Sequence, residues 1–422
     1  MKKNIKTKLQ TIDKDHYLLL TDIGKVAKEE GLKVYLVGGM IRDLLLGFDN
    51  LDIDLVVEND AGKLANALIK KFTNCQLSAK HDRFHTAKVI FNINNKNIPV
   101  DLASTREEKY EYPAALPQVS VSDLKKDLYR RDFTINALAV SILPEDFGEV
   151  VDLFDGLKDL EERKIKILHD LSFTDDPTRM IRAVRFASKL GFKIEDHTQT
   201  LLNSAINSKR FDNLIEKIRG DRVKTEIRYL FNLPDIDNAI KAFFDSGIYR
   251  MVSIELEPTI PVIAKRFEEP TKQSNNVSHN KWLIYFALTM KDLLPEQQEQ
   301  TLQNLQLTSD EIKIIKNGFN ALNKFKEQKS LNSIIVYQEL KNLSVESILI
   351  VRMLNNKMND LINEYLTKTS KTKLEISGQD LINLGVKEGK RIGEILEKLI
   401  EIKIKNPSLN KQDEIKEAKK FI

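Results

Sequence analysis

The chain of 422 residues carries 66 lysines and arginines against 62 aspartates and glutamates, a formal net charge of +4, and one cysteine, Cys75. That length predicts two or three domains with ample core, and a single cysteine excludes an intrachain disulfide framework and fits a reducing compartment, so a cytoplasmic protein is expected. So small a net charge excludes a globally basic surface, and a polyanionic partner has to be met by local patches.

In chain order, the N-terminal "MKKNIKTKLQTIDKDHYLLL" lacks the uninterrupted apolar stretch of a signal peptide. Nowhere do about eighteen apolar residues run together, so no membrane span is expected. The strand-like "KVYLV" then runs into Gly38-Gly39, where a helical pattern, "MIRDLLLG", begins at once. Such a turn aims a helix N-terminus at whatever lies beyond it, glycines let an anion approach the backbone, and Arg42 in the first turn adds a forked cation. "LDIDLVV" reads as the next strand; residues two apart share a face, so Asp52 and Asp54 project together while Ile53 and Leu55 enter the core. Two neighbouring carboxylates repel unless a cation lies between them, and Mg²⁺ with hard oxygen ligands suits them.

"KLANALIKKF" has helical spacing, and "TAKVIFNI" and "IPVDLAS" read as strands joined by the turn-rich "NNKN". Asp101 on the second is a candidate third carboxylate. Residues 105–123, "TREEKYEYPAALPQVSVSD", read as a long polar, aromatic loop of the kind that carries function or is disordered. "RRDFTINAL" (130–138) follows, in which Arg130 and Arg131 offer five N–H donors each to a triphosphate and Asn136 offers an amide to a ribose 2′-hydroxyl. "DLFDGLKDL" (152–160) reads as a turn entering a helix. After residue 155 strand signals nearly vanish. In "DDPTRMIRAVRF" (175–186), Pro177 suits a first turn capped by Asp175 or Thr174, and Arg179, Arg182 and Arg185 recur every third residue as a basic stripe. "EPTIPVIAKRFEEPTKQSNNVSHN" (257–280) is breaker-rich and reads as a linker or boundary. The pattern predicts an α+β chain: a mixed α/β head over 1–150, a helical neck over 151–230, and a helical body and tail over 231–422.

The stretch "LVGGMIRDLLLGFDNLDIDLVV" resembles the signature of the class II nucleotidyltransferase superfamily, which includes CCA-adding tRNA nucleotidyltransferases and bacterial poly(A) polymerases. "RRDFTINAL", "DLFDGLKDL" and "DDPTRMIRAVRF" resemble the family's next three motifs in the same order, and four ordered motifs are far more specific than one. The resemblance implies a DNA polymerase β-like head and an enzyme that transfers CMP and AMP from CTP and ATP to the 3′ end of tRNA. Asp52 and Asp54 would hold Mg²⁺, with Asp101 beside them, while Gly38, Gly39, Arg42, Arg130, Arg131, Asn136, Asp176, Arg179, Arg182 and Arg185 would bind the nucleotide. It assigns reading of the base edge to Asp176 and Arg179. An arginine donor and a carboxylate acceptor match cytosine and adenine, whereas uracil and guanine leave buried polar groups unpaired. The commoner family pattern begins Glu-Asp where this chain has Asp175-Asp176.

The helical half is expected to hold the acceptor arm of tRNA. Family members also include A-only and CC-only enzymes and poly(A) polymerases, and these stay open, as does a catalytically silent RNA-binding protein. The loop over 105–123 argues against CC-only addition, because in CCA-adding relatives a flexible loop in this region is implicated in the switch from C to A. His169-Asp170 resembles a metal-dependent phosphohydrolase motif, but such a site needs several His and Asp ligands, and beyond His197 only His279 remains. Monomer and homodimer are equally compatible with the sequence.

Overall fold

A computed structural model of the chain describes residues 3–81, 85–111, 117–216, 220–256, 280–328 and 330–422. It forms two compact units, Met1–Ile218 with Ala242–Val252, and Arg219–Lys241 with Ser253–Ile422. The linker expected over 257–280 lies, apart from Asn280, outside the described residues.

The first unit is built on a mixed seven-stranded sheet. Its strands are β1 (Val34–Val37), β2 (Ile53–Val57), β3 (Cys75–His81), β4 (Thr86–Ile93), β5 (Lys96–Ser104), β8 (Leu138–Ser141) and β9 (Val150–Asp152), in the order β3-β4-β5-β2-β1-β8-β9. A separate hairpin pairs β6 (Arg106–Lys109) with β7 (Gln118–Val121). Residues 105–123, read as a loop, are therefore partly extended and paired, and 112–116 lie outside the described residues. The pair β2–β5 is parallel, and the other neighbours in the large sheet are antiparallel.

Alternation decides which face each strand presents. Ile53, Leu55 and Val57 of β2, with Ile98, Val100 and Leu102 of β5, join Leu19, Leu20 and Ile23 of the helix Lys14–Glu29 and Leu64 and Leu68 of the helix Ala61–Lys71 in the main core. Asp54 and Val56 face the opposite side, where Val37 and Val56 meet Leu124 and Leu128. Between β4 and β5 the connection is the two residues Asn94 and Asn95, with φ of 51° and 61°, the left-handed pair that matches strand twist in a tight hairpin. Downstream, the Asp152 carboxylate accepts the backbone N–H groups of Gly156 (2.9 Å) and Leu157 (2.9 Å) and so starts the helix Gly156–Glu161. This gives "DLFDGLKDL" the structural part its turn chemistry predicted.

The second unit is helical throughout its described residues. The helix Lys281–Thr289 is buried on all sides, with Trp282, Tyr285 and Phe286 at its centre, as an apolar helix without a polar face has to be. Near the C-terminus Ile376, Leu381, Ile395, Leu399 and Ala418 form a small separate core. Buried Glu414 pairs there with Lys403 and accepts the backbone N–H groups of Glu375 and Ile376.

Candidate active site

The candidate site residues gather in the first unit, where the helix Gly39–Leu46 follows β1. Gly38 has φ of 83°, and a Cβ there would stand 3.2 Å from an Asp54 carboxylate oxygen. A side chain there would be strained by the backbone conformation and would crowd the Asp54 carboxylate. The glycine pair thus sets the helix N-terminus beside β2.

Strand register supplies the carboxylates. Asp54 and Asp101 are direct Cα partners across the parallel pair, and Asp101 is in turn the partner of Lys88 on β4. Asp54, Asp101 and Lys88 therefore form one row on the face away from the core. Lys88 Nζ donates to Asp101 Oδ2 at 3.0 Å. Asp52 sits just before β2, its backbone N–H donating to Asn50 Oδ1 (3.0 Å), and acts on Asp54 as a like charge. Asp54 is accessible in the open cleft, yet the surrounding protein desolvates it, and Asp101 and Asp52 add repulsion. These push its carboxyl up to about 6, against the opposing pull of Arg131 and Lys88.

A carboxylate so short of positive charge, in an all-oxygen donor set, fits a hard divalent cation. Asp52 and Asp54 are the residues that would hold it. Among the described residues no three His, Cys, Asp or Glu side chains cluster at metal-binding distance, and Asp101 is paired with Lys88.

Beyond Asp54 opens a cleft of about 490 Å³. Gly38, Gly39, Arg42, Asp54, Arg130, Arg131, Asn136, Asp176, Arg179, Arg182 and Arg185 all line it, so eleven of the thirteen residues singled out in the sequence meet around one space. Asp101 instead lines a second cavity of about 400 Å³ on the sheet face, floored by Val37, Asp54, Lys88 and Ala79. Asp54, Arg130 and Arg131 border both spaces. Asp52 lines neither.

The arginines differ in how they are held. Arg42 is buried, and its fork is engaged by Asp43 (Nε to Oδ1, 2.7 Å) and by Asn136 (Nη1 to Oδ1, 2.7 Å). Asn136 in turn donates to Asp132 Oδ1 at 3.0 Å. Burial alone would raise Asp132, but Arg182, through Nε (2.9 Å) and Nη2 (2.6 Å), and Asn136 hold its carboxyl below the usual range. Arg130 gives Nε and Nη2 to Asp127 (3.0 and 2.8 Å) and Nη1 to Glu108 (2.9 Å). Arg131 gives Nη2 to Asp127 (3.0 Å), while its Nε is buried without a hydrogen-bond partner. Arg179, 5 % exposed, donates to Ser172 Oγ (2.9 Å) and to the backbone carbonyl of Arg130 (2.6 Å).

The helix Thr178–Leu190 is capped differently from the expectation. Pro177 directly precedes its first residue and neither Asp175 nor Thr174 caps it; instead Asp176 Oδ1 accepts from Thr178 N (3.1 Å) and Oγ1 (2.6 Å) across the proline. Nor is the arginine stripe a solvated face: Arg179 and Arg185 are buried, and the Phe186 ring carries the guanidinium groups of Arg42, Arg182 and Arg185 at 4.9, 5.5 and 4.3 Å from its centre. Sequence reasoning missed Asp132, Phe186, Asp127, Glu108 and Tyr110. Asp132 lies inside the quoted "RRDFTINAL" and Phe186 stands four residues after Arg182, so both had a signal; Glu108 and Tyr110 sit in a polar run with none.

Comparison with known proteins gives the following. Residues 34–166 match the family model described as "Poly A polymerase head domain", and residues 274–418 match "tRNA nucleotidyltransferase domain 2 putative". The chain is 33% identical over 417 residues to the A-adding tRNA nucleotidyltransferase of Geobacter sulfurreducens, covering 95% of this chain but 46% of that one, so it spans about half the length of that relative. It is 30% identical over 406 residues to the CCA-adding enzyme of Ligilactobacillus salivarius, covering 94% of each. Among solved structures, "The structure of CCA-adding enzyme apo form II" superposes with a TM-score of 0.83 at 32% identity, covering 100% of this chain and 99% of that one. The Thermotoga maritima CCA-adding enzyme complexed with tRNA_CCA superposes at 0.79 and 28% identity, covering 99% and 98%. No helix among the described residues is long and apolar enough to cross a membrane.

Proposed function

The chain belongs to the family of CCA-adding and A-adding tRNA nucleotidyltransferases, and from that premise we propose that it builds the CCA end of tRNA from CTP and ATP, releasing pyrophosphate. The observation that carries this reading is the row Asp54–Asp101 standing between two spaces. In-line displacement at an α-phosphorus needs the leaving pyrophosphate and the attacking hydroxyl on opposite sides. The basic cleft takes the triphosphate, and the sheet-face cavity takes the terminal ribose of the RNA, with the dividing carboxylates between them.

Arg131, which borders both spaces, orients the phosphate chain from the boundary. Asp176 and Arg179 read the base edge: Ser172 and the Arg130 carbonyl fix the guanidinium, and the two contacts from Thr178 fix the carboxylate. Such a site is preorganised and accepts cytosine and adenine alone. Asp101, held by Lys88, lines the acceptor cavity and takes the proton of the 3′-hydroxyl. Mg²⁺ bound by Asp52 and Asp54 would supply Lewis-acid stabilisation of the developing phosphate charge. The helical unit binds the acceptor arm through its basic side chains.

A second reading, addition of the terminal A only, is favoured by the name of the G. sulfurreducens relative. Purified protein incubated with tRNA transcripts ending before, within and after CC, each with a single labelled nucleoside triphosphate, tests both. CMP transfer to the transcript lacking CC supports the first reading; AMP transfer restricted to the transcript ending in CC supports the second. No transfer to any transcript refutes both.

A further inference from the structure

Two of the side chains lining the basic cleft are aromatic, Phe186 and Tyr110. Three guanidinium groups and the edge of Phe133, 5.8 Å away between ring centres, already occupy the surroundings of the Phe186 ring. Tyr110, by contrast, makes no ring–ring or cation–ring contact among the described residues. It is half-buried, at the end of β6, and its ring is held in place from the hydroxyl. The phenol donates to Glu108 Oε2 at 2.9 Å, Glu108 Oε1 accepts from Arg130 Nη1 at 2.9 Å, and the Arg130 carbonyl accepts from Arg179 Nη2 at 2.6 Å. One chain of hydrogen bonds thus ties Tyr110 to the arginine that reads the base edge, and both Arg179 and Asp176 lie close enough to act electrostatically on the phenol.

A base held edge-on by Asp176 and Arg179 keeps its π-face turned to a neighbouring wall, and the cleft offers one aromatic surface for it. We propose that Tyr110 is a specificity-determining residue on whose ring the incoming base stacks, so that adenine, with two fused rings, gains more from it than cytosine. This rests on the reading of Asp176 and Arg179 as the base-reading pair. Stacking is tolerant of sequence because every base has a π-face, and it grows with ring area, so it complements an edge that cannot tell adenine from cytosine.

The test compares Tyr110→Ala, Tyr110→Phe and Tyr110→Leu with wild type by equilibrium binding of ATP, CTP and inorganic tripolyphosphate in the absence of RNA acceptor. Tyr110→Ala is expected to weaken ATP about tenfold and CTP about threefold, and to leave tripolyphosphate, which has no base, unchanged. Tyr110→Phe keeps the ring and should stay within about twofold of wild type for both nucleotides; Tyr110→Leu keeps the bulk without the π-face and should resemble the alanine variant. Equal weakening of all three ligands, or damage in Tyr110→Phe as large as in Tyr110→Ala, overturns the proposal and leaves Tyr110 as a tether for Glu108. Asp176→Ala measured alongside separates the two ideas: unchanged discrimination of CTP over UTP and of ATP over GTP there refutes the base-reading pair whatever the Tyr110 variants do.

Discussion

Replacing Asp54 by asparagine should make the protein more stable while abolishing its chemistry. In the folded chain the Asp54 carboxyl is raised from 3.8 to about 6 by desolvation and by Asp101 and Asp52. A raised carboxyl means that between about pH 4 and pH 6 the native state binds more protons than the unfolded state, so stability falls as pH rises through that window and stays at the lower level above it. Taken in full, a shift of this size is about 3 kcal/mol. Solvent reaches Asp54 in the open cleft and screens the repulsion, which reduces the expectation to about 1 kcal/mol. For a unit of some two hundred residues that is a rise in Tm of about 2–4 °C. The measurement is thermal melting followed by circular dichroism with divalent metal chelated: Asp54→Asn should melt higher than wild type at pH 8, and the difference should shrink as pH falls and vanish only below the unfolded value of 3.8, where the carboxyl is protonated in both states. Added Mg²⁺ should raise the wild-type Tm and leave the variant nearly unmoved. A variant no more stable than wild type at pH 8, or stabilised by the same amount at pH 8 and below pH 3.8, refutes the account of the carboxylate row.

Three further outcomes follow from the same geometry. Asp127 is fully buried between Arg130 and Arg131, so Asp127→Asn strips charge from a pair of buried guanidinium groups and should cost about 3 kcal/mol or more in denaturant unfolding. Asp176→Ala should loosen discrimination of CTP over UTP, or of ATP over GTP, by roughly ten- to a hundredfold in kcat/KM, whereas Arg131→Ala should weaken all four triphosphates alike, since phosphates carry no base identity. Binding of tRNA should fall steeply between 50 and 200 mM salt, on the order of a hundredfold or more, and an acceptor-TΨC minihelix should serve as substrate; its failure alongside active full-length tRNA contradicts binding by the acceptor arm.

The strands that carry the carboxylates were legible because one face of each is core: "LDIDLVV" and "IPVDLAS" alternate, and alternation fixes both the strand and the side on which its acids emerge. β6 was not, for a physical reason. Its residues "REEK" bury no apolar face; they are held by ion pairs to distant positions, Glu107 to Lys126 and Glu108 to Arg130, and a strand stabilised from outside itself leaves no periodic trace. The edge strand β3 failed likewise, since most of its side chains are exposed. The arginines show the same divide at the site. Their gathering could be read from "RRDFTINAL" and "DDPTRMIRAVRF", and Asp43 and Asp127 engage Arg42, Arg130 and Arg131 from one to four residues away, but Asp132 and Glu108 reach Arg182 and Arg130 only through tertiary structure.

The two-residue turn at Asn94–Asn95 has a bearing on how such a chain can vary. Lys88 and Asp101 stand six positions away on either arm of that hairpin, so their meeting depends on an integer count rather than on any contact of their own. Adding or removing one residue in either arm between the turn and the site changes the parity of that arm, sending Lys88 or Asp101 through to the core side of the sheet. Asp101 cannot compensate by sliding, because β5 is simultaneously locked to β2 at Asp54. Length variation in these arms is therefore confined to steps that cancel between the two arms, so that Lys88 and Asp101 stay opposite one another.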